Sequence, residues 1–327
     1  MPSREAFHIG PFTIGSFTID IPVYWYGIMI MLGVVAASFI AYQEAKRRGE
    51  DPEHVWQMFP WVLISGIVGA RLGFILVNLG NPVYTQDPVN ILRIWTGGLS
   101  IQGAVIGGAV AVIVYCRRSH LRALKWADII APGLALAQAI GRWGNYFNQE
   151  AFGEPTTLPW GIPISVQRQR EVAGREFGPD VRFHPTFAYE MIWDLLNFGL
   201  LMWLGRQKRI RLREGDIFYV YMVVYSIGRF AIESIRVDSA KVQGIAVPQI
   251  VAILSIILGW ALFMYNHRPG STAPLSETNL PEGERPVSLD AEPAAEMPAG
   301  VMRTRPTSRI RKVSSSVLNE PEPAEEM

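Results

Sequence analysis

Charge and cysteine are both scarce in this chain of 327 residues. Only 18% of the residues are charged and 49% are hydrophobic, a low proportion of charge for a water-soluble protein of this length. The single cysteine, Cys116, excludes an internal disulfide, and its place at the end of an apolar run predicts a packed thiol rather than a nucleophile. The net charge of +1 does not show the excess of basic residues that is typical of proteins that bind nucleic acids.

Long apolar runs, in contrast, recur along most of the chain. Roughly 20 helical residues are needed to cross the hydrocarbon core of a bilayer. The ten Trp and eleven Tyr suit a protein with two membrane–water interfaces. We therefore predict an all-α fold, a polytopic membrane bundle of about seven transmembrane helices. The predicted spans are residues 24–44, 56–78, 97–116, 126–144, 187–205, 216–235 and 246–265.

Basic residues cluster in short loops after the first, third and fifth predicted spans. Such loops favour the cytoplasmic side of a bacterial cell membrane, so we expect the N-terminus outside and the C-terminus in the cytoplasm. The basic residues of the three loops are Lys46, Arg47 and Arg48, then Arg117, Arg118, Arg122 and Lys125, then Arg206, Lys208, Arg209, Arg211 and Arg213.

The composition predicts three regions. Residues 1–23 lack the basic and then apolar layout of a cleavable signal peptide, and we expect a short outer-face arm. Residues 24–266 form the seven-span domain, with an outer-face insertion at about 145–186 that we expect to fold as a small head with a strand near Trp160–Val166. Residues 267–327 are rich in Pro, Glu, Ala, Ser and Thr and predict a disordered cytoplasmic tail.

Polar residues are dense at the outer end of the fourth span, in the stretch GRWGNYFNQEAFG at residues 141–153. Arg142 offers a planar fork of donors that suits a phosphate. Asn145 and Asn148 add neutral donors, and Glu150 can hold a cationic partner. A helix end with a snorkelling arginine and an interfacial tryptophan is the alternative, but the density of Gly, Arg, Asn and Glu favours a functional site.

A second polar group lies on the sixth span. Tyr225, Arg229 and Glu233 are spaced four residues apart, and Arg236 follows three residues later, so all four share one helical stripe. Arg229 and Glu233 can pair, which lowers the cost of keeping either in the membrane. A structural ion pair and a second phosphate-binding arginine held by a glutamate both remain open.

Scattered polar residues occur in the other spans. Taken one at a time, such residues more often form hydrogen bonds between helices than act as catalytic groups. They are Tyr26, Arg71, Gln102, His184, Tyr189 and Glu190. Asp128 lies near the inner end of the fourth span, and we predict a structural role for it.

Two or three arginines in or near a membrane bundle fit either of two functions. One is a transporter for an anion, which predicts repeat symmetry between two halves, and no repeat is visible in the sequence. The other is an enzyme that acts on the phosphate head group of a lipid. A magnesium-dependent phospholipid enzyme would need a cluster of carboxylates, and the spans contain isolated ones.

The stretch at 141–153 closely resembles the signature of the bacterial prolipoprotein diacylglyceryl transferases. The resemblance extends over residues 8–265. Supporting motifs are WYG at 25–27, GARLGF at 69–74, GGLSIQG at 97–103, HPTFAYE at 184–190 and YSIGRFAIESIR at 225–236. The long signature is specific, and the shorter motifs add to it.

The resemblance implies a reaction. A diacylglyceryl group passes from phosphatidylglycerol to the thiol of the lipobox cysteine of a preprolipoprotein, a thioether forms, and glycerol-1-phosphate leaves. The substrate brings the thiol, so the enzyme needs no cysteine of its own. The resemblance implies no cofactor and no metal if arginines stabilise the phosphate.

The resemblance also implies roles for individual residues. Arg142 and Arg229 stabilise the charge on the leaving phosphate, with a hydrogen bond from Asn145. Glu150, Glu233 and Tyr26 are the candidates that activate the incoming thiol. Further residues expected to bind phosphatidylglycerol are Asn148, Gly153, Tyr225, Gln102, Arg71 and His184. Many family members have a histidine where this chain has Gln102, and because an amide cannot accept the thiol proton, the identity of the base stays open.

Overall fold

The computed structural model describes most of the chain as far as residue 271. The described residues are 3–14, 17–80, 84, 87–93, 97–207, 210–239, 241–242 and 244–271. The predicted tail lies outside the described residues beyond that point, so its disorder and its location stay predictions.

The described residues contain eight α-helices. They are α1 Trp25–Arg47, α2 Glu53–Val77, α3 Ile101–Arg118, α4 Ala123–Asn148, α5 Val166–Ala173, α6 Thr186–Leu204, α7 Asp216–Glu233 and α8 Val247–Asn266. A 3-10 turn at Pro88–Ile91 lies between α2 and α3.

Short strands form three antiparallel pairs. They are β1 Glu5–Ile14 with β2 Phe17–Tyr24, β3 Ile162–Pro163 with β4 Arg182–Phe183, and β5 Lys241–Val242 with β6 Ile245–Ala246. The arm before the first span is therefore the β1–β2 hairpin. The predicted strand near Trp160–Val166 is confirmed only at β3, because Ser165 accepts a hydrogen bond from the Arg168 backbone N–H and starts α5 instead.

Five of the described helices, α1 to α4 and α8, are long and apolar enough to cross a membrane. Their large side chains face outward: Leu254 of α8 is 61% exposed and Trp260 is 60% exposed. Apolar surface of this extent is stable only against lipid or a partner. The helices α6 and α7 are 19 and 18 residues long but carry buried charges. The all-α polytopic membrane fold is confirmed, and the total of seven spans stays a prediction.

Small residues allow α2 and α3 to pack with their backbones in contact. A Cβ atom added to Gly103 would overlap the carbonyl oxygen of Gly69, and one added to Gly107 would overlap the carbonyl oxygen of Ser65. Close approach of this kind replaces the hydrophobic effect as the source of helix association in lipid. A second close pairing joins α1 to α4, where Gly133 lies against the backbone of Ala37.

The end of the bundle that carries the predicted cytoplasmic loops, here called the basic end, is held by buried carboxylates. Asp128 of α4 accepts backbone hydrogen bonds from Gly215 at 2.8 Å and Phe218 at 2.9 Å, and Arg48 lies 3.8 Å from it. These bonds satisfy free N–H groups at the start of α7. Asp128 therefore has the structural role that the sequence predicts.

The opposite end carries the head, residues 149–185. A small core of Phe152, Ile164 and Phe183 fills it. Its backbone is bonded to the bundle: the Glu154 N–H donates to the carbonyl of Ile235, which follows α7, at 2.8 Å. The head thereby brings the C-terminal ends of α4 and α7 next to the N-terminal end of α6.

Candidate active site

Three arginines converge on one glutamate beneath the head. The Glu190 carboxylate of α6 accepts from Arg229 Nη1 of α7 at 2.6 Å and from Arg236 Nη1 at 3.2 Å through Oε1. Its other oxygen, Oε2, lies 2.5 Å from Arg142 Nη2 of α4. Glu190 is only 3% exposed, so the convergence lies inside the protein. Charges held this way are strongly coupled, because little water screens them.

Three further carboxylates surround the same arginines. Asp194 Oδ2 lies 3.8 Å from Arg142 Nε, and Glu233 Oε2 lies 2.7 Å from Arg229 Nη2. The remaining carboxylate, Asp238, takes two bonds of 2.8 Å from Arg236. We call the set the arginine cluster: three guanidinium groups and four carboxylates. Its members are Arg142, Arg229, Arg236, Glu190, Asp194, Glu233 and Asp238.

Arg236 lies just beyond the end of α7, where the chain passes under the head. Burial alone would lower the pKa of this guanidinium, but the carboxylates of Asp238, Glu190 and Glu233 raise it above its ordinary value. Arg236 therefore stays charged, and the predicted stripe from Tyr225 to Arg236 leads into the cluster. The Arg229–Glu233 pairing expected from the four-residue spacing is confirmed.

A second polar group gathers around Glu150, directly after α4. Asn145 Nδ2 donates to Glu150 Oε1 at 2.9 Å, and Asn148 Nδ2 donates to the same oxygen at 3.3 Å. Arg168 of the head lies 3.8 Å from the other oxygen, Oε2. Gln149, in the left-handed conformation with φ of 50°, turns the chain so that Glu150 faces back toward α4. The sequence prediction that these residues act together is consistent with this geometry.

Tyr26 lies between the two groups, at the start of α1. It interacts electrostatically with both Glu150 and Arg142. Its ring packs on Gly144, where an added Cβ would lie 2.5 Å from Tyr26 Cδ2. Gly144 is therefore required for the ring to approach α4. This contact explains why a glycine stands two residues after Arg142.

A narrow cleft between α6 and α7 adjoins the cluster. Its lining residues are Glu190, Trp193, Asp194, Tyr225, Gly228, Arg229 and Ile232. Trp193 Nε1 donates to the carbonyl of Val224 at 2.8 Å, and the indole occupies the space that a Cβ on Gly228 would need. Tyr225 thus lies on the wall of the cleft, next to the arginines.

Arg71 is engaged elsewhere. Its guanidinium donates to four backbone carbonyl oxygens of the segment before α3, at distances between 2.5 and 2.9 Å. These carbonyls belong to Asn90, Ile91, Gly97 and Gly98. The geometry gives Arg71 the role of holding this segment, and its predicted contact with lipid stays a prediction.

Gln102 lies one residue inside the start of α3. Its Oε1 accepts from the hydroxyl of Ser100 at 3.0 Å, and the residue is exposed. The bond satisfies the amide oxygen locally and connects Gln102 to no member of the arginine cluster among the contacts of the described residues.

Gly153 and His184 form part of the base of the head. The Gly153 N–H donates to the His184 carbonyl at 2.9 Å, and a Cβ on Gly153 would lie 2.9 Å from the carbonyl oxygen of Ile235. The His184 ring lies 3.1 Å from the Tyr189 hydroxyl, which accepts from Trp160 Nε1 at 2.8 Å. Gly153 permits the close contact of head and bundle that places Arg236.

The two acidic residues at the centre of the site are not predicted as site residues from the sequence. Glu190 is one of the scattered polar residues of the spans, and the sequence patterns described above do not include Asp194. Asn197, fully buried one turn further along α6, has no hydrogen-bond partner among the described residues. The signal was present, because acidic and amide residues at positions 190, 194 and 197 form one stripe on an otherwise apolar helix.

Comparison with known proteins gives the same family throughout. The family model described as prolipoprotein diacylglyceryl transferase matches residues 14–265. A protein from Chloroflexus aggregans is 38% identical over 85% of this chain and 96% of its own length. One from Symbiobacterium thermophilum is 42% identical over 80% of this chain and 91% of its own length, and one from Thermosynechococcus vestitus is 40% identical over 73% and 87%. All three carry the name phosphatidylglycerol–prolipoprotein diacylglyceryl transferase. The chain therefore belongs to the prolipoprotein diacylglyceryl transferase family.

Proposed function

We propose that this protein transfers the diacylglyceryl group of phosphatidylglycerol to the thiol of a lipobox cysteine in a preprolipoprotein. A thioether forms and glycerol-1-phosphate is released, as the first step of lipoprotein maturation. The observation that carries the proposal is the convergence of Arg142, Arg229 and Arg236 on one anionic group beneath the head. A phosphate diester is the anion that a membrane lipid would present there.

The reaction breaks the bond between glycerol C3 and the phosphate oxygen. The thiolate sulfur attacks C3, and the electron pair of the breaking bond passes to the leaving glycerol phosphate. Arg142 and Arg229 stabilise this growing charge with fixed donors in a site of low dielectric constant. Arg236 adds a third positive charge, held in place by Asp238. The substrate supplies the thiol, in keeping with the buried position of Cys116.

Activation of the thiol requires a group near the arginines. Tyr26 interacts electrostatically with both Glu150 and Arg142, and we propose that Tyr26 and Glu150 face the incoming cysteine. Glu233 is bound by Arg229, lies 3.8 Å from Arg236 and accepts from Ser239 Oγ at 2.5 Å. Its proposed role is therefore to hold Arg229 in place.

We further propose that the head and the arginine cluster face the outside of the cell membrane. The basic end of the bundle then lies in the cytoplasm, as the distribution of Lys and Arg favours. Phosphatidylglycerol enters sideways from the outer leaflet, and the acceptor enters as a signal-peptide helix in lipid. This orientation places the N-terminal hairpin outside and the end of α8 in the cytoplasm.

The direct test uses purified protein, phosphatidylglycerol with labelled acyl chains and a synthetic lipobox peptide, with a chelator present. We expect label to move to the cysteine peptide and not to its Cys→Ser twin. Transfer under these conditions would support metal independence as well. Absence of label on the peptide, with folded and monodisperse protein, would contradict the proposal and favour an anion transporter.

Gln102 provides a smaller prediction. Because its amide cannot take a proton and bonds to Ser100, Gln102→Ala should lower the rate by less than the roughly 100-fold expected for loss of a charge-stabilising donor. Gln102→His is the matched variant, and the same transfer assay compares the two. A loss from Gln102→Ala as large as the loss from removing an arginine would place Gln102 in direct contact with the reacting atoms.

A further inference from the structure

Glu190 is the anion on which the three arginines of the cluster meet. Its two oxygens take three guanidinium groups from three segments of the chain: the one in α4, the one in α7 and the one after α7. Each arginine contacts the carboxylate through one nitrogen, and charge-assisted contacts of several guanidinium groups to one anion are also how arginines bind phosphate oxygens. The donors that the proposed reaction needs are therefore engaged by an anion of the protein itself.

The charge balance makes simple addition of a phosphate unfavourable. The arginine cluster has four carboxylates for three guanidinium groups, so it has no excess positive charge before any substrate arrives. A lipid phosphate adds one negative charge, and the glycerol phosphate that leaves carries up to two. Like charges in a site with little water repel strongly.

Each of the other three carboxylates contacts fewer of the three arginines than Glu190 does. Asp238 accepts two hydrogen bonds from Arg236 and a third from the Ala151 N–H. Glu233 accepts from Ser239 and lies one helical turn from Arg229 on the same helix. Asp194 contacts Arg142 only through Nε, at 3.8 Å. Glu190 alone among the four contacts all three arginines, and it borders the cleft between α6 and α7.

We infer that Glu190 is a built-in competitor of the substrate phosphate, released from the arginines when phosphatidylglycerol binds and returned to them when glycerol phosphate leaves. The inference rests on the proposed function. The contacts with Glu190 neutralise the three guanidinium groups and hold them in place. The competition also weakens binding of the more highly charged product, so that the product does not stay on the enzyme. Glu190 thus sets the affinity for the head group and the rate of product release.

The test is Glu190→Gln, which keeps the shape of the side chain and removes its charge. We expect the KM for phosphatidylglycerol to fall roughly tenfold and inhibition by added glycerol-1-phosphate to strengthen by a similar factor. Changes of this size are within the usual range of coupling between two binding events in one protein. The maximal rate should fall as product release slows. A purely structural role would instead raise KM and weaken inhibition, and that result would overturn the inference.

Two controls keep the outcomes separate. Asp238→Asn removes a carboxylate that contacts only Arg236 among the three arginines, and it should strengthen product inhibition less than Glu190→Gln does. If Glu190→Gln is not monodisperse, Glu190→Asp decides, because the shorter carboxylate cannot reach all three arginines, and unchanged inhibition would then refute the inference. Transfer by the unaltered protein tests the proposed function independently, and binding of glycerol-1-phosphate by calorimetry tests Glu190 even if no transfer occurs.

Discussion

Arg142→Ala should abolish transfer while leaving the protein inserted and folded. Arg142 is the only one of the three arginines on α4, and its Nη2 lies 2.5 Å from the central carboxylate. Loss of one fixed donor to a developing negative charge lowers a rate by about 100- to 1,000-fold. Here the loss should be larger, because Glu190 and Asp194 would keep their charges with one fewer guanidinium to balance them. The measurement is the labelled-lipid transfer assay, with membrane fractionation as the check on insertion.

Arg142→Lys is the matched variant for this prediction. It retains the positive charge and loses the planar fork that can take two oxygens at once. We expect its transfer rate to lie between the rate of the unaltered protein and that of Arg142→Ala. A monodisperse Arg142→Ala protein with substantial transfer would remove Arg142 from the site and leave Arg229 and Arg236 as the arginines of the cluster that contact the phosphate.

Gly107→Ala should destabilise the bundle, whereas the neighbouring Gly108→Ala should not. A Cβ at position 107 would overlap the carbonyl oxygen of Ser65, so α2 and α3 must move apart. Overpacking of this kind costs about 1–3 kcal/mol. A Cβ at position 108 would lie 3.7 Å from Val62, an ordinary contact, and alanine is the better helix former.

Both variants replace one glycine of α3 with alanine, so they have the same amino-acid composition. A difference in stability between them must therefore come from the position of the added Cβ. Unfolding in detergent, followed by the loss of helical signal against temperature or denaturant, compares them directly. Equal stability of the two variants would mean that the α2–α3 contact contributes little, and the close backbone packing would then need another role.

The membrane fold can be predicted from the sequence, and so can the pairing of Arg229 with Glu233 in the candidate site. Apolar runs predict helices well because a span requires a minimum length, and α1 at Trp25–Arg47 agrees with the expected 24–44. The fourth span continues to Asn148, beyond the expected 144, because the polar signature stays helical at the end of the membrane. The Arg229–Glu233 pair follows from spacing within one helix.

Contacts between helices could not be predicted in this way. Glu190 acquires its partners only when α4, α6 and α7 pack together, and nothing in its local sequence specifies that it bridges three arginines. Arg71 shows the reverse case. A charge inside a span predicts function, yet here its donors bind backbone carbonyls of the next connection. Polarity in a span indicates that a partner exists and leaves the partner's identity to the tertiary structure.

The order of the chain has a consequence for the biogenesis of this protein. A ribosome completes α4, with Arg142, well before it completes α6, with Glu190 and Asp194, and before it completes the two later arginines. During that interval Arg142 lies at the end of a membrane helix without the carboxylates that later neutralise it, so the helix end must stay near the polar interface. Arrival of α6 supplies the two carboxylates that contact Arg142 in the folded protein. The arginine cluster can therefore form only after α6, α7 and the segment that follows α7 have all been synthesised.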